Sequence, residues 1–161
     1  MAYLFYPNVY IKSIYDIDTK LLMNKEINNI IIDIDNTLSK WGSKEPEPSE
    51  CNWIKKIRGE GFNICILSNS SNSRIKKYCS NLDVLYIKNV RKPFKKSFIR
   101  AMNLLKSNKI NTCVIGDQIF TDILGGNKCG MFTILVQPLD KNEFLFTRLM
   151  RSIERRIIGK Y

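Results

Sequence analysis

Four short stretches of the chain carry the residues capable of chemistry: Asp33 and Asp35 in IIDIDNTL, Ser68 and Asn69 in ILSNS, Lys92 in RKPFKKSF, and Asp117 and Asp122 in GDQIFTD. If the strand leading into Asp33 continues through Asp35, both carboxylates project to the same side. Two carboxylates so placed repel, so a cation or a shared proton is expected between them. Carboxylate oxygens are hard ligands suited to Mg²⁺, and a hydroxyl and an ammonium group are donors for phosphate oxygens. An aspartate can attack phosphorus and split a difficult hydrolysis into two easier steps. Lys92 and a metal would then hold the charge on the transferring group. The chain contains no histidine, which excludes Ser-His-Asp and Cys-His catalysis and HExxH zinc sites. Taken alone, Lys92 is an ordinary surface lysine and Asp122 an ordinary first-turn helix residue; their weight comes from the ordered set.

The elements that must position these residues are legible as alternating patterns. Near-continuous apolar runs at Asn29–Ile34, Phe62–Leu67, Val84–Ile87, Thr112–Ile115 and Phe132–Val136 read as strands of a parallel sheet covered on both faces. Helical patterns lie between them near Ser49–Gly59, Asn72–Ser80, Phe94–Ser107 and Thr121–Cys129. Ser49 and Ser71 are N-cap positions, Gly61 and Gly130 are stops, and Pro93 can open the third helix with Lys92 at its positive end. Asn36 and Thr37 shape the turn after the first strand, and Ser39–Pro48 reads as an irregular loop. The expected fold is α/β, a doubly wound parallel sheet of about five strands, whose ligands gather beyond the carboxyl ends of the strands where all seven residues fall.

A length of 161 residues suits one domain, and 44% apolar with 25% charged residues is the composition of a chain that folds alone. Two terminal segments stand apart: an aromatic one over about 1–20 and a basic amphipathic helix over about 142–158. On that helix Phe146, Leu149, Met150, Ile153 and Ile157 share a face opposite Arg148, Arg151 and Arg155. No secretory signal and no spanning run is recognisable, so a cytoplasmic protein is expected, with peripheral contact at the inner face of a membrane left open. The five cysteines form no CxxC pair and read as reduced core thiols. The net charge of +11 is partly the Ile-Asn-Lys bias of an AT-rich genome. More informative is its placement: no acidic residue lies between Asp83 and Asp117, while Lys88, Arg91, Lys92, Lys95, Lys96, Arg100, Lys106 and Lys109 are basic.

The order DIDNTL, ILSNS, RKP and GDQIFTD resembles the four motifs of haloacid-dehalogenase-type (HAD) phosphatases over residues 29 to 136. A closer resemblance is to the YqeG family of HAD phosphatases, of subclass IIIA. It rests on DIDNTL with Trp41 shortly after, SNS followed by Arg74, KPFKKSF, GDQIFTDILGGN and the tail FTRLMRSIERR, and it extends to the N-terminal YPNVYIKSIYDID. The resemblance implies a Rossmann-like HAD core. It implies Asp33 as nucleophile and, with Asp117 and the backbone carbonyl of Asp35, as Mg²⁺ ligand. Asp35 is the implied acid/base, Ser68 with Asn69 holds the phosphoryl group, Lys92 neutralises it, and Asp122 orients Lys92 or the waters of the metal.

HAD enzymes select substrates largely through inserted cap domains. Here 32 residues separate Asp35 from Ser68 and 23 separate Ser68 from Lys92, each interval filled by a loop, a helix and a strand. No cap fits, and an open site favours a phosphate presented on something large. The YqeG family is similar to the fungal mitochondrial phosphatidylglycerophosphatases, which implies dephosphorylation of a phosphatidylglycerophosphate headgroup. Tyr3, Leu4, Phe5, Tyr6 and Tyr10, with the basic tail, would seat such an enzyme on anionic lipid; equally, the aromatics can close the sheet edge. The alternatives are another phosphate ester, either a soluble metabolite or a nucleic-acid end lying along Lys88–Lys109, and a non-catalytic Mg²⁺-dependent binding protein.

Overall fold

The computed structural model describes residues 2–140. Six strands form one parallel sheet: β1 (Val9–Ile11), β2 (Asn29–Ile32), β3 (Asn63–Ile66), β4 (Leu85–Tyr86), β5 (Thr112–Gly116) and β6 (Phe132–Val136). Their order is β1-β6-β5-β2-β3-β4, so the chain winds outward through β3 and β4, returns to the other side of β2 at β5, and winds outward again. That reversal makes the β2–β5 boundary the switch point, where a doubly wound sheet opens a crevice at its carboxyl edge.

Five helices, α1 (Thr19–Asn24), α2 (Pro48–Gly59), α3 (Asn72–Ser80), α4 (Lys95–Leu104) and α5 (Leu124–Lys128), complete the layers. Alternation along β2 shows the two faces. Ile30 and Ile32 join Trp53, Ile54 and Ile57 of α2 and Ile75 and Tyr78 of α3 in one core. Ile31 points the other way, to Phe98 and Ala101 of α4 with Cys65 and Val114. Gly125 lets α5 approach α4 closely, since a Cβ there would overlap the Phe98 ring. All five cysteines are free.

Several expectations need correction. The sheet has a sixth strand: Val9–Ile11, inside the aromatic N-terminal segment, pairs with Ile134–Val136 at the edge. The strand expected over Val84–Ile87 contracts to Leu85–Tyr86. Helix α2 is preceded by Glu47, whose N–H donates to the Glu50 carboxylate at 2.9 Å, so Ser49 lies in the first turn instead of capping it. Pro93 does not open α4: it sits in a turn closed by the Phe94 N–H on the Arg91 carbonyl at 2.9 Å, and the helix begins at Lys95. The helix expected over Thr121–Cys129 is a π-helical turn, Ile119–Ile123, running into α5. The amphipathic segment at about 142–158 lies outside the described residues. No helix among the described residues is long and apolar enough to cross a membrane.

Candidate active site

Two backbone registers bring the carboxyl ends of β2, β3 and β5 level. The Asp33 N–H donates to the Ile115 carbonyl at 3.1 Å, and the Leu67 N–H to the Ile32 carbonyl at 2.9 Å. Asp33, Ser68 and Asp117 therefore emerge side by side, and all three are buried. Strand β2 ends at Ile32, so it does not continue through Asp33 and Asp35. Instead the chain turns, with the N–H groups of Thr37, Leu38 and Ser39 all reaching the Ile34 carbonyl. Asn36 takes φ of 58°, a left-handed conformation that asparagine tolerates.

This turn separates the two carboxylates into different environments. Asp33, Asp117 and Asp122 each offer an oxygen within 4.8 Å of the others. The Lys92 ammonium lies between two of them, 2.6 Å from Asp122 Oδ1 and 3.0 Å from Asp33 Oδ1. Burial alone would lower the Lys92 ammonium, but Asp122 and Asp33 outweigh it and hold it above its ordinary range. Burial pushes the Asp33 carboxyl from 3.8 up to about 7; Lys92 pulls it down, and the Asp122 and Asp35 carboxylates push it further up. Two buried carboxylates thus share the Lys92 ammonium, with the Asp117 carboxylate beside them. The donor set fits a divalent cation: its oxygens are hard, and three of them lie within reach of one ion. Thr37, given only a turn role by its sequence position, donates from its hydroxyl to Asp117 Oδ1 at 3.1 Å.

The Asp35 side chain stands outside that cluster. Both its oxygens are taken by Arg74 in a bidentate pair, at 2.7 Å to each terminal nitrogen. Ser70 donates to Asp35 Oδ2 at 2.6 Å and the Gly42 N–H to Oδ1 at 2.9 Å. Burial alone would raise this carboxyl, but the bonds from Arg74, Ser70 and Gly42 outweigh it and hold it below the usual carboxylate range. Arg74 also donates from Nε to the Ser43 carbonyl at 2.8 Å, tying α3 to the loop after β2. The sequence contained Arg74 within a family pattern but gave it no partner. Its i+4 spacing from Ser70 becomes informative only once both are seen on Asp35.

Asn69 Oδ1 accepts the Lys92 backbone N–H at 2.9 Å, so this side chain steadies the loop that delivers the lysine. Ser68 Oγ donates to Ser70 Oγ at 3.1 Å. Asp122 reaches Lys92 because the π-helical turn, with the Ile123 N–H on the Gln118 carbonyl, aims it inward, as such turns often do at functional sites. Gly116 leaves the room: a Cβ there would overlap the Asp122 carboxyl group. Behind the loop, Glu50 accepts from Ser39 and Tyr78 hydroxyls at 2.5 and 2.7 Å, a buried network joining α2, α3 and the turn.

A protonatable, nucleophilic carboxylate beside an ammonium, a hydroxyl and a hard-cation cluster is chemistry for phosphoryl transfer. Comparison with known proteins agrees. A HAD-hydrolase-like family profile matches residues 89–138. The chain is 36% identical to "Probable phosphatase YqeG" of Bacillus subtilis over 155 residues, covering 96% of this chain and 90% of that one. It is 26% identical over 173 residues to "Phosphatidylglycerophosphate phosphatase 1, chloroplastic/mitochondrial" of Arabidopsis thaliana, covering 96% of this chain and 47% of that protein. Its fold is similar to that of the cobalt-bound deoxy-D-mannose-octulosonate 8-phosphate phosphatase of Haemophilus influenzae, with a TM-score of 0.56 at 12% identity, covering 84% and 89% of the two chains.

Proposed function

The chain belongs to the YqeG family of HAD-type phosphatases, and we propose that it hydrolyses a phosphomonoester with Mg²⁺ through an aspartyl-phosphate on Asp33, its substrate being the phosphatidylglycerophosphate headgroup. The observation that carries the mechanism is the meeting of Asp33, Asp117 and Asp122 at the switch point, with Lys92 bridging Asp33 and Asp122. Mg²⁺ would be held by Asp33, Asp117 and the backbone carbonyl of Asp35, and would supply positive charge against the phosphate oxygens.

An Asp33 oxygen attacks phosphorus, the bond to the alcohol oxygen breaks, and the leaving oxygen takes a proton from Asp35. Water then attacks the acyl phosphate, passing its proton to Asp35 and releasing Asp33 and inorganic phosphate. Ser68 and the amide N–H groups of Asn69 donate to the phosphoryl oxygens, Lys92 neutralises them, and Asp122 keeps Lys92 aimed. Asp35 is ionised in its Arg74 clamp, so the proton it donates arrives with a substrate phosphate, which loses its last proton near about pH 6.

The lipid assignment is supported by the similarity to the plant protein and by the absence of a cap between β2 and α4 among the described residues. An open site suits a phosphate borne on a surface. The test is phosphate release with Mg²⁺, comparing phosphatidylglycerophosphate in mixed micelles with p-nitrophenyl phosphate, and Asp33→Asn as blank. Preference for the lipid is expected. Equal turnover of both would leave the phosphatase and remove the lipid, with soluble esters and nucleic-acid ends next; turnover by Asp33→Asn would overturn the mechanism.

A further inference from the structure

The loop that delivers Lys92 continues directly into a helix whose outer face is both basic and apolar. Lys88, Arg91, Lys95, Lys96, Arg100, Lys106 and Lys109 are all exposed, and Lys92 alone of the basic block is buried. On α4, Phe98 and Ala101 face the core. At about 100° per residue the opposite side then carries Lys95, Ile99, Asn103, Lys96 and Arg100 in angular order, so an aliphatic side chain stands between two lysines. Ile99 is 45% exposed, Leu104 42% and Phe94, immediately before the helix, 66%. An aromatic residue this exposed, two positions from a buried site lysine, contributes nothing to the core.

The far side of the site has a matching feature. Lys92 contacts Asp122, and two residues before Asp122 the Phe120 ring meets the Phe5 ring edge-on at 5.5 Å. This anchors the N-terminal 3-10 turn Ala2–Phe5 beside the site, with Tyr3 71% exposed on it. Aromatic residues therefore border the Lys92–Asp122 contact from both chain segments that form it.

We propose that the outer face of α4, with Phe94 at its site-proximal end, docks the enzyme on an anionic lipid bilayer. Basic residues interleaved with apolar ones on one face are the pattern of a helix that lies at a membrane interface. The lysines and Arg100 meet the lipid phosphates while Phe94 and Ile99 enter the acyl boundary, which holds the Lys92 loop, two residues from Phe94, next to the surface that carries the headgroup. A nucleic acid would also attract the charge and could stack one base on Phe94, but exposed Ile99 and Leu104 offer no further flat face, and lipid uses the aromatic, aliphatic and basic features together.

This inference rests on the lipid reading of the substrate, and its test is read by binding without turnover. The full chain is sedimented with vesicles of phosphatidylglycerol and phosphatidylcholine at about 0.1 M salt, where a surface charge still acts over about 10 Å. The variants are Lys96→Glu/Arg100→Glu, Ile99→Ser and, as a charge-matched control on the opposite face of the sheet, Lys55→Glu/Lys56→Glu. Near-ultraviolet circular dichroism establishes that each folds. The α4 charge variant is expected to lose at least about tenfold in partition, Ile99→Ser to lose a smaller factor that persists at high salt, and the control to bind within about twofold of wild type. Equal losses in control and α4 variants would reduce the effect to net charge and overturn the assignment. So would wild type that ignores vesicles, or that binds a labelled oligonucleotide and not vesicles. Vesicle binding through α4 without lipid turnover would overturn the substrate and keep the docking face; lipid turnover with no dependence on α4 would do the reverse.

Discussion

Replacing Asp33, the proposed nucleophile, with its neutral isostere should make the metal-free protein more stable while removing its activity. Asp33 is raised from 3.8 to about 7 by burial, helped by Asp122 and Asp35 and opposed by Lys92. A carboxyl that titrates higher in the folded than in the unfolded chain contributes its full stability only below the unfolded value. That stability is lost as pH rises from about 4 through about 7. A shift from 3.8 to about 7 corresponds to roughly 4 kcal/mol at about 1.4 kcal/mol per unit, fully expressed by about pH 8 and under half of it at about pH 5. The amide introduced by Asp33→Asn would mimic the protonated group. Its carbonyl oxygen can still accept from Lys92, and Lys92 keeps its 2.6 Å contact to Asp122.

Thermal melts in EDTA are therefore expected to place Asp33→Asn above wild type by roughly 10 °C at about pH 8, at about 2–4 °C per kcal/mol for a chain of this size, and much closer to it at about pH 5. Mg²⁺ should reverse the order, because a ligand of the folded state stabilises in proportion to the logarithm of its saturation and the variant has lost a ligand oxygen. An Asp33→Asn protein less stable than wild type at about pH 8 in EDTA would refute the reasoning. The carboxylate cluster would then be internally compensated, and its geometry would be no argument for a cation.

Other perturbations have equally definite signs. Arg74→Met removes the largest of the influences that outweigh burial at Asp35, so that carboxyl should titrate higher; the acid limb of kcat/KM for p-nitrophenyl phosphate should move to higher pH while kcat falls, and an unmoved limb would detach Arg74 from Asp35 chemistry. Gly116→Ala forces the Asp122 carboxyl aside and should lower kcat by about 100-fold, the scale of a misplaced catalytic group, with the sheet intact by circular dichroism; unchanged kcat would mean that Asp122 need not hold Lys92. Tyr78→Phe deletes one of the hydroxyls on buried Glu50 and should cost about 1–2 kcal/mol in urea denaturation. A neutral result there would assign the network no share in holding the turn after β2.

Which parts of this site were legible follows from what each residue depends on. Asp33, Ser68 and Asp117 announce themselves because each directly follows an apolar run that reads as a buried strand, and the all-buried β2 and β5 leave little freedom in register; Lys92 gains its weight only from the ordered set. That the N-terminal aromatics can close the sheet edge is legible and Tyr10 does so, but Val9–Ile11 is not legible as a strand because three residues amid tyrosines do not make a periodicity; it becomes one only because β6 offers an edge. The same dependence on distant neighbours hid the environment of Asp35. A two-residue spacing suggests paired carboxylates on one strand, yet the chain turns after Ile32, and the second carboxylate meets an arginine 39 positions away. Spacing within a segment reports periodic backbone well and turns poorly, since a turn is set by which carbonyl captures the next N–H groups, here Ile34. The division of labour between the two aspartates therefore arises at that turn. Asp33 stays with the cation-seeking cluster and titrates high; Asp35 is carried to Arg74 and titrates low. For Asp33 to act as nucleophile and Asp35 as acid, a cation must therefore lower the first and the substrate must bring a proton to the second.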